Sequence, residues 1–385
     1  MSGKNFSWQN PKVRAWVYQI IVLIAVALGV WYLVDNTLHN LSSRRIATGF
    51  GFLDQEAGFA IGESVIDFQP SDTYRKAIVV GLLNTIKVSV LGIVLSTIFG
   101  VLLGLARLSK NFLLAKLASI YVEVVRNIPL IIQLFFWYVI IIETLPSIRQ
   151  AWSISNAIFL SNRGLYLPSL SGGSLIPVCV ALVIAVLACW VVAGISKKHQ
   201  NKTGKLLPTV WINLVILCAL PVLTYYFSGT DLHWELPHRE RFNFVGGWVV
   251  TPELTALLLG LVVYTTGLIA EIVRSGISSI DKGQWEAAQS IGLKTRWVLR
   301  LVILPLSLRV IIPPLTSTYL NFVKNSSLAI AVGYPDIVAV VNTIMNQTGQ
   351  AIETVMIIMA TYLTVSLAIS LLMNWYNKRI ELVER

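Results

Sequence analysis

Apolar residues in this chain fall in long blocks rather than short alternations. Runs near 15–34, 77–106, 112–145, 176–195, 207–228, 253–274, 305–323 and 351–376 carry few charges. A helix crossing a bilayer core takes about 20 apolar residues, so the blocks predict about eight transmembrane helices and an all-α polytopic membrane fold. The block at 305–323 is the least regular, because Pro305, Pro313 and Pro314 interrupt it. The first block is too long for a signal-peptide core and no small-residue cleavage site follows it, so it is expected to remain as an anchor. The segments 35–76, 146–175 and 229–252 hold Gly, Ser, Asn, Trp and Pro without long periodic runs. They predict ordered external loops with short surface helices.

Composition agrees with the blocks. The 385 residues are 55% hydrophobic and 13% charged, against about 25% charged in a soluble domain. The net charge of +11 would suggest nucleic acid if the basic residues formed a stripe. They are scattered between apolar runs, so no nucleic-acid partner is expected. Their placement instead sets topology. With the N-terminus inside, Lys4, Lys12, Arg14, Arg107, Lys110, Lys116, Lys197, Lys198, Lys202, Lys205, Arg274, Lys282, Lys294, Arg296, Arg300, Lys378, Arg379 and Arg385 lie on the cytoplasmic side. Arg44, Arg45, Arg75, Lys76, Arg149, Arg163, Arg239, Arg241 and Lys324 lie outside, a two-to-one excess inside. Both termini are then cytoplasmic, and the charge attracts anionic membrane lipid.

Cofactor chemistry is not evident. Cys179, Cys189 and Cys218 sit inside apolar runs with no C-x-x-C. His233 and His238 share one polar loop, where an ordinary solvated loop is the simpler reading than a metal site. There is no G-x-x-x-x-G-K-[ST], so the chain has no usual cradle for ATP. No catalytic residue, cofactor or metal is expected.

The polar interval at 275–304 is different. Asp281 can cap a helix with Gln284 at its third position, and Gly292 suits the left-handed residue that ends one. Thr295 can cap a second helix, Arg296 to Leu304, stopped by Pro305. Ala287 and Ala288 leave the first helix bare, with Trp285 as one anchor and Glu286 as one charge. A helix this short is marginal alone and needs a packing partner. That partner is either the chain's own bundle or a cytoplasmic protein.

Polar residues inside the blocks are costly and so are candidates for function. Lys87 lies about 15 Å into its block. It is open to a substrate carboxylate, a protein carboxylate or a wet cavity. Glu123 and Arg126 share a helix face and are placed to pair. Pro129 removes a helix hydrogen bond beside Asn127 and Gln133, and can open a kink with free carbonyls, a device of transporter sites. Tyr264, Thr265, Thr266, Asn321, Lys324, Asn325 and Ser326 are further candidates for a substrate path or for helix–helix hydrogen bonds. Glu271 and Arg274 read as structural or gating. Gly100 and Gly104 form a G-x-x-x-G, which favours close helix contact within the chain or between subunits. The run Ala331-Val332-Gly333-Tyr334-Pro335 echoes a potassium filter, but Pro335 stands where the final glycine would be and the pore helix is missing. An ion-gradient-driven secondary amino acid transporter is the alternative class. It would need intramembrane coupling carboxylates and half-to-half repeats, and neither is evident.

Glu286-Ala287-Ala288, three residues, Gly292, nine residues and then Val302-x-Leu304-Pro305 resembles the EAA loop of ABC importer permeases, with valine at 302 where the family has isoleucine. The run from Tyr264 to Ile277, Gly283-Gln284, Gly81-Leu82-Leu83-Asn84-Thr85, the run from Tyr121 to Gln133, and Lys324-Asn325-Ser326-Ser327-Leu328 are similar to the polar amino acid branch of that family. The resemblance covers 77–145 and 250–376. The insert 146–250, with two extra spans, is similar to the larger permease subunits of general and acidic or neutral polar L-amino acid importers.

This resemblance implies a type I ABC importer permease fold with an inserted helix pair, in a bacterial inner membrane. It implies an N-terminal anchor and loop (1–76), a permease domain (77–376) and a cytoplasmic tail (377–385). The implied partners are a second permease, expected to be a different homologue, two ATPase subunits that supply hydrolysis in trans, and an external binding protein delivering a polar amino acid. Gln284, Trp285, Glu286, Ala287, Ala288 and Gly292 would form the ATPase-coupling helix.

Overall fold

The computed structural model describes residues 11–43, 48–172, 176–204, 208–228, 232–240 and 243–380. Lys4, Arg44, Arg45, Lys205, Arg241 and Arg385 of the charge count, and the end of the tail, lie outside the described residues. So do the side chains of Lys12, Lys197, Lys198, Lys202 and Cys179. The helices are α1 (Pro11–Ser43), α2 (Tyr74–Arg107), α3 (Phe112–Asn127), α4 (Leu130–Thr144), α5 (Ile176–Thr203), α6 (Thr209–Phe227), α7 (Pro252–Ser278), α8 (Lys282–Ser290), α9 (Thr295–Val298), α10 (Leu304–Asn325), α11 (Ile337–Thr348) and α12 (Ala351–Ile380). The strands are β1 (Trp152–Ile154), β2 (Ile158–Ser161), β3 (Gly164–Leu167), β4 (Ser169–Gly172), β5 (Leu232–Glu235), β6 (His238–Arg239), β7 (Phe244–Val245) and β8 (Trp248–Val250).

Among the described residues six helices are long and apolar enough to cross a membrane, or seven if a bent pair counts as one. That pair is α3 and α4, which meet at 104°. The apolar block at 112–145 is therefore broken rather than continuous. Pro129 lies in the break, between Asn127 and Leu130, and has no N–H to carry the ladder across it. The remaining expected span is α5, whose apolar part Val180–Ser196 is shorter. By contrast, α10 runs unbroken through Pro313 and Pro314. The hydroxyls of Thr316 and Thr318 there donate to the carbonyls of Ile312 and Pro314 at 3.0 Å.

The chain divides into two compact units, Met1–Tyr138 with Glu253–Arg385, and Val139–Pro252. The first unit is organised around α2. Thr73 caps it, its hydroxyl accepting from the Lys76 N–H. One face is a stripe of small residues, Gly81, Thr85, Ser89, Gly92, Ser96, Gly100 and Gly104, all buried. Gly81 receives the backbone of Ile337 at the start of α11, and a Cβ there would lie 3.0 Å from the Ile337 Cα. Gly92 receives the Phe322 ring of α10. Gly100 and Gly104 receive Ile269 and Val273 of α7. The G-x-x-x-G thus serves packing within the chain.

Polar groups on α2 fix the segment that precedes α11. The Asn84 amide donates to the Pro335 carbonyl at 2.9 Å, and the Thr85 hydroxyl accepts from the Ile337 N–H at 3.0 Å. Asp336 caps α11 by accepting from the Ala339 N–H at 2.8 Å. Tyr334, central to the filter-like run, is wholly buried. The 12-residue α11 was not anticipated as an element. It is shorter than a span and lies in a stretch without an uninterrupted apolar block.

In the second unit α5 and α6 pair, with the hydroxyls of Ser196 and Thr209 2.7 Å apart. Of the segments expected to be loops with short helices, 35–76 holds one at Phe50–Asp54, whereas 146–175 and 229–252 are built mainly of antiparallel strands. β1, β2, β3 and β8 form one sheet in that order, and β4–β5 and β6–β7 form two-stranded pairs. Ser155 and Asn156, both at φ +52°, turn the chain between β1 and β2. Phe159, Tyr166 and Phe244 stack behind the sheet, with centroids 4.6 and 4.8 Å apart. Strands this short carry too few residues for an alternating pattern to stand out in sequence.

Replacing Gly92 with leucine drives a side chain into the space of the Phe322 ring. The expected loss is about 1–3 kcal/mol, seen as a lowered thermal midpoint of the detergent-solubilised protein. Gly29→Leu in α1, where nothing lies within 4 Å, should leave the midpoint unchanged.

Candidate functional site

The turn between α7 and α10 carries the sequence motif. Asp281 caps α8, its carboxylate accepting from the Gly283 N–H at 2.6 Å. Gly292 closes the turn after α8 at φ +79° with open space around it, a conformation that residues with a Cβ seldom adopt. The second helix differs from expectation. Lys294 precedes it without a side-chain cap, and Thr295 is its first residue rather than its cap. It does not stop at Pro305. α9 passes through a π-helical stretch, Leu299–Ile303, straight into α10. Pro305 lies inside this continuous helix, two residues after the π-helical stretch ends.

Burial divides α8 into two faces. Ala288 packs inward with Val298 and Ile303, and Trp285 and Leu293 cover that cluster. The expected bare face is therefore only half bare. Ala288 and Trp285 fix the helix to its own chain, while Gln284, Glu286, Ala287 and Gln289 stay exposed. Ile291 projects with 76% of its surface exposed. One face anchors the helix to its own chain, and the other is left exposed.

Four charges meet where α2, α3 and α7 approach. Glu271 pairs with Arg107 and, at 2.6 Å, with Arg274. Arg126 stands 3.9 Å from the same carboxylate. The expected Glu123–Arg126 pair does not form; Arg126 turns to Glu271. The Arg107 Nε also donates to the Ser119 hydroxyl at 3.3 Å.

The candidates for a substrate path separate into groups. Lys87 has a protein carboxylate as its partner, Glu63 at 2.5 Å, with both side chains largely buried. Glu63 comes from the segment before α2, which the Asn84 amide also holds through the Glu63 carbonyl at 2.8 Å. Gln133 is structural at the α3–α4 break. Its amide donates to the carbonyls of Val125 and Ile128 at 2.9 and 3.0 Å, acceptors that the break frees. Asn127 is exposed and donates to the Glu123 carbonyl at 2.7 Å. Thr265 is buried and Tyr264 is half-buried. Thr266 lines an apolar groove. Ser326 is buried and donates to the Val323 carbonyl, with Asn325 beside it.

Asn321 and Lys324 behave differently. Together with Ser317 they are exposed along one side of α10, spaced by four and three residues. That spacing puts all three on one helix face. Polar side chains on a membrane helix rarely face lipid, so this face requires water or another chain. Ser317 was missed in the sequence, although its spacing from Asn321 marks it. Glu63 was missed because no local pattern links the segment before α2 to Lys87.

A family model described as the binding-protein-dependent transport system inner membrane component matches residues 96–382. The chain is 51% identical to a putative amino-acid ABC transporter permease protein, YhdX, of Escherichia coli (strain K12), over 99% of this chain and 98% of the relative. It is 47% identical to a general L-amino acid transport system permease protein, AapQ, of Rhizobium johnstonii, over 98% and 94%. It is 38% identical to a glutamate/glutamine/aspartate/asparagine transport system permease protein, BztB, of Rhodobacter capsulatus, over 98% and 96%.

Gln133→Leu strands the carbonyls of Val125 and Ile128. The expected cost is about 1–3 kcal/mol, measured as a lower midpoint in thermal unfolding. Asn127→Ala, at an exposed position, should change stability by no more than about 0.5 kcal/mol.

Proposed function

The chain belongs to the binding-protein-dependent transport system inner membrane component family, and from that premise we propose that it is a permease subunit importing polar L-amino acids, acidic and neutral ones above all. It is a membrane-spanning ABC permease subunit with no catalytic part in ATP hydrolysis. The relatives' names support the substrate class. In this reading two ATPase subunits hydrolyse ATP beneath it, an external binding protein delivers substrate, and a second, homologous permease completes the path. Both termini face the cytoplasm, as the lysine and arginine bias favours.

The observation that carries the reading is the two-faced α8. Its inner face, Ala288 and Trp285, is packed on Val298 and Ile303, and Ile303 leads directly into α10. A push on the free face, Glu286, Ala287 and Ile291, therefore reaches α10 through rigid contacts. α10 in turn bears the exposed polar side Ser317, Asn321 and Lys324. We assign that side to the wet path between the two permeases. The coupling residues are Gln284, Glu286, Ala287 and Gly292 on the partner side, with Trp285 and Ala288 transmitting.

Reconstitution with the partner permease, ATPase and binding protein tests this. ATP-driven uptake should be supported by acidic and neutral polar amino acids. Glu286→Lys and Gly292→Val should abolish it while leaving membrane insertion intact; normal uptake by both rejects the coupling role. Valine at a left-handed position costs about 1–3 kcal/mol of local strain, enough to swing α8 without unfolding the bundle. Lys324→Met should lower uptake about tenfold, the factor for losing one charge-assisted contact. Transport by the purified chain alone on an ion gradient would overturn the reading.

A further inference from the structure

A groove of about 470 Å³ runs between α2, α3 and α7. Phe99, Leu102, Ala106 and Val263 give it a hydrocarbon lining, with Tyr121 and Thr266 as its polar members. The Tyr121 hydroxyl is occupied, donating to the Val263 carbonyl at 3.0 Å. The Thr266 hydroxyl is not. Thr266 is 5% exposed and its Oγ1 has no hydrogen-bond partner among the described residues. A buried threonine in a helix usually donates to the carbonyl four residues earlier. The Thr266 oxygen is itself shielded from the groove, so the wall there is hydrocarbon.

The groove adjoins the arginine cluster. Ala106 on its wall is followed by Arg107, and Tyr121 lies two residues beyond Ser119, to which Arg107 donates. Three guanidiniums face the single carboxylate of Glu271. Arg126 is the loosest, at 3.9 Å, with 45% of its side chain exposed. Glu123, one turn before it, is exposed and makes no ion pair among the described residues. Counting that carboxylate too, positive charge remains in surplus.

An apolar channel ending at surplus arginines fits an amphipathic anion. A polar amino acid would meet hydrocarbon along nearly the whole groove. We propose that the groove and the arginine cluster form a binding site for an anionic phospholipid. One acyl chain lies along Phe99, Leu102 and Val263. The phosphate sits on Arg126 beside Arg107. Basic pockets between membrane helices are favourable for such headgroups.

The test is lipid retention by the full-length protein in its assembled transporter, purified in mild detergent and measured by native mass spectrometry. Delipidated samples are given phosphatidylglycerol or phosphatidylcholine. Phosphatidylglycerol should be retained and phosphatidylcholine not. Arg126→Gln should weaken retention about fivefold, as for one arginine at an anionic headgroup, and Arg126→Lys should restore most of it. Leu102→Trp, which fills the groove, should weaken retention with Arg126 intact. Equal retention of both lipids, or unchanged retention in Arg126→Gln and Leu102→Trp, overturns the site. So does efficient cross-linking of Leu102→Cys to another polypeptide of the transporter, which would make the groove a helix interface. Thermal midpoints near the wild-type value confirm that the variants are folded.

Discussion

Close approach of three helices to one face of α2 is the constraint on which the first unit rests. Lipid offers hydrophobic side chains no reason to leave it for a protein interior, so membrane helices associate through tight packing and hydrogen bonds. α2 supplies both along a single stripe. Gly81 admits the start of α11, Gly92 admits the Phe322 ring, and Gly100 and Gly104 admit Ile269 and Val273 of α7. Between them Asn84 and Thr85 bind the backbone that leads into α11. A larger side chain on the stripe would push apart helices that close packing holds together.

The polar groups are arranged with similar economy. Where the α3–α4 break frees carbonyls at Val125 and Ile128, Gln133 supplies the donor. Lys87, costly to leave alone at membrane depth, is met by Glu63 from the segment before α2. Removing both charges from water costs several kcal/mol per ion before attraction offsets it. The pair therefore ties the preceding segment to α2 more than it stabilises the fold. Ser317, Asn321 and Lys324 are not treated this way and stay exposed. That difference separates residues that hold the bundle from residues left on an open face.

The proposed coupling rests on continuity. α8 is short and would not hold its shape alone, but Trp285 and Ala288 bind it to Val298 and Ile303. From there the backbone continues without a break through the π-helical Leu299–Ile303 into α10. π-helical turns inside α-helices often occur at functional sites. Here one lies between the free face of α8 and the polar side of α10.

The sequence by itself determined the membrane class, most of the spans, the capped helix at Asp281 and the left-handed glycine at 292. Each of these depends on neighbours within a few turns of chain. The EAA spacing was legible for the same reason, since it is a local pattern. The bend at Pro129 was legible as a possibility, but its angle and the role of Gln133 were not. Only the tertiary structure decided that Ala288 faces inward, that Glu63 meets Lys87, that Arg126 turns to Glu271, and that the G-x-x-x-G is used within the chain. Those choices join residues far apart in sequence. They are settled by which helices can approach closely enough to touch, and the sequence, read locally, does not carry that.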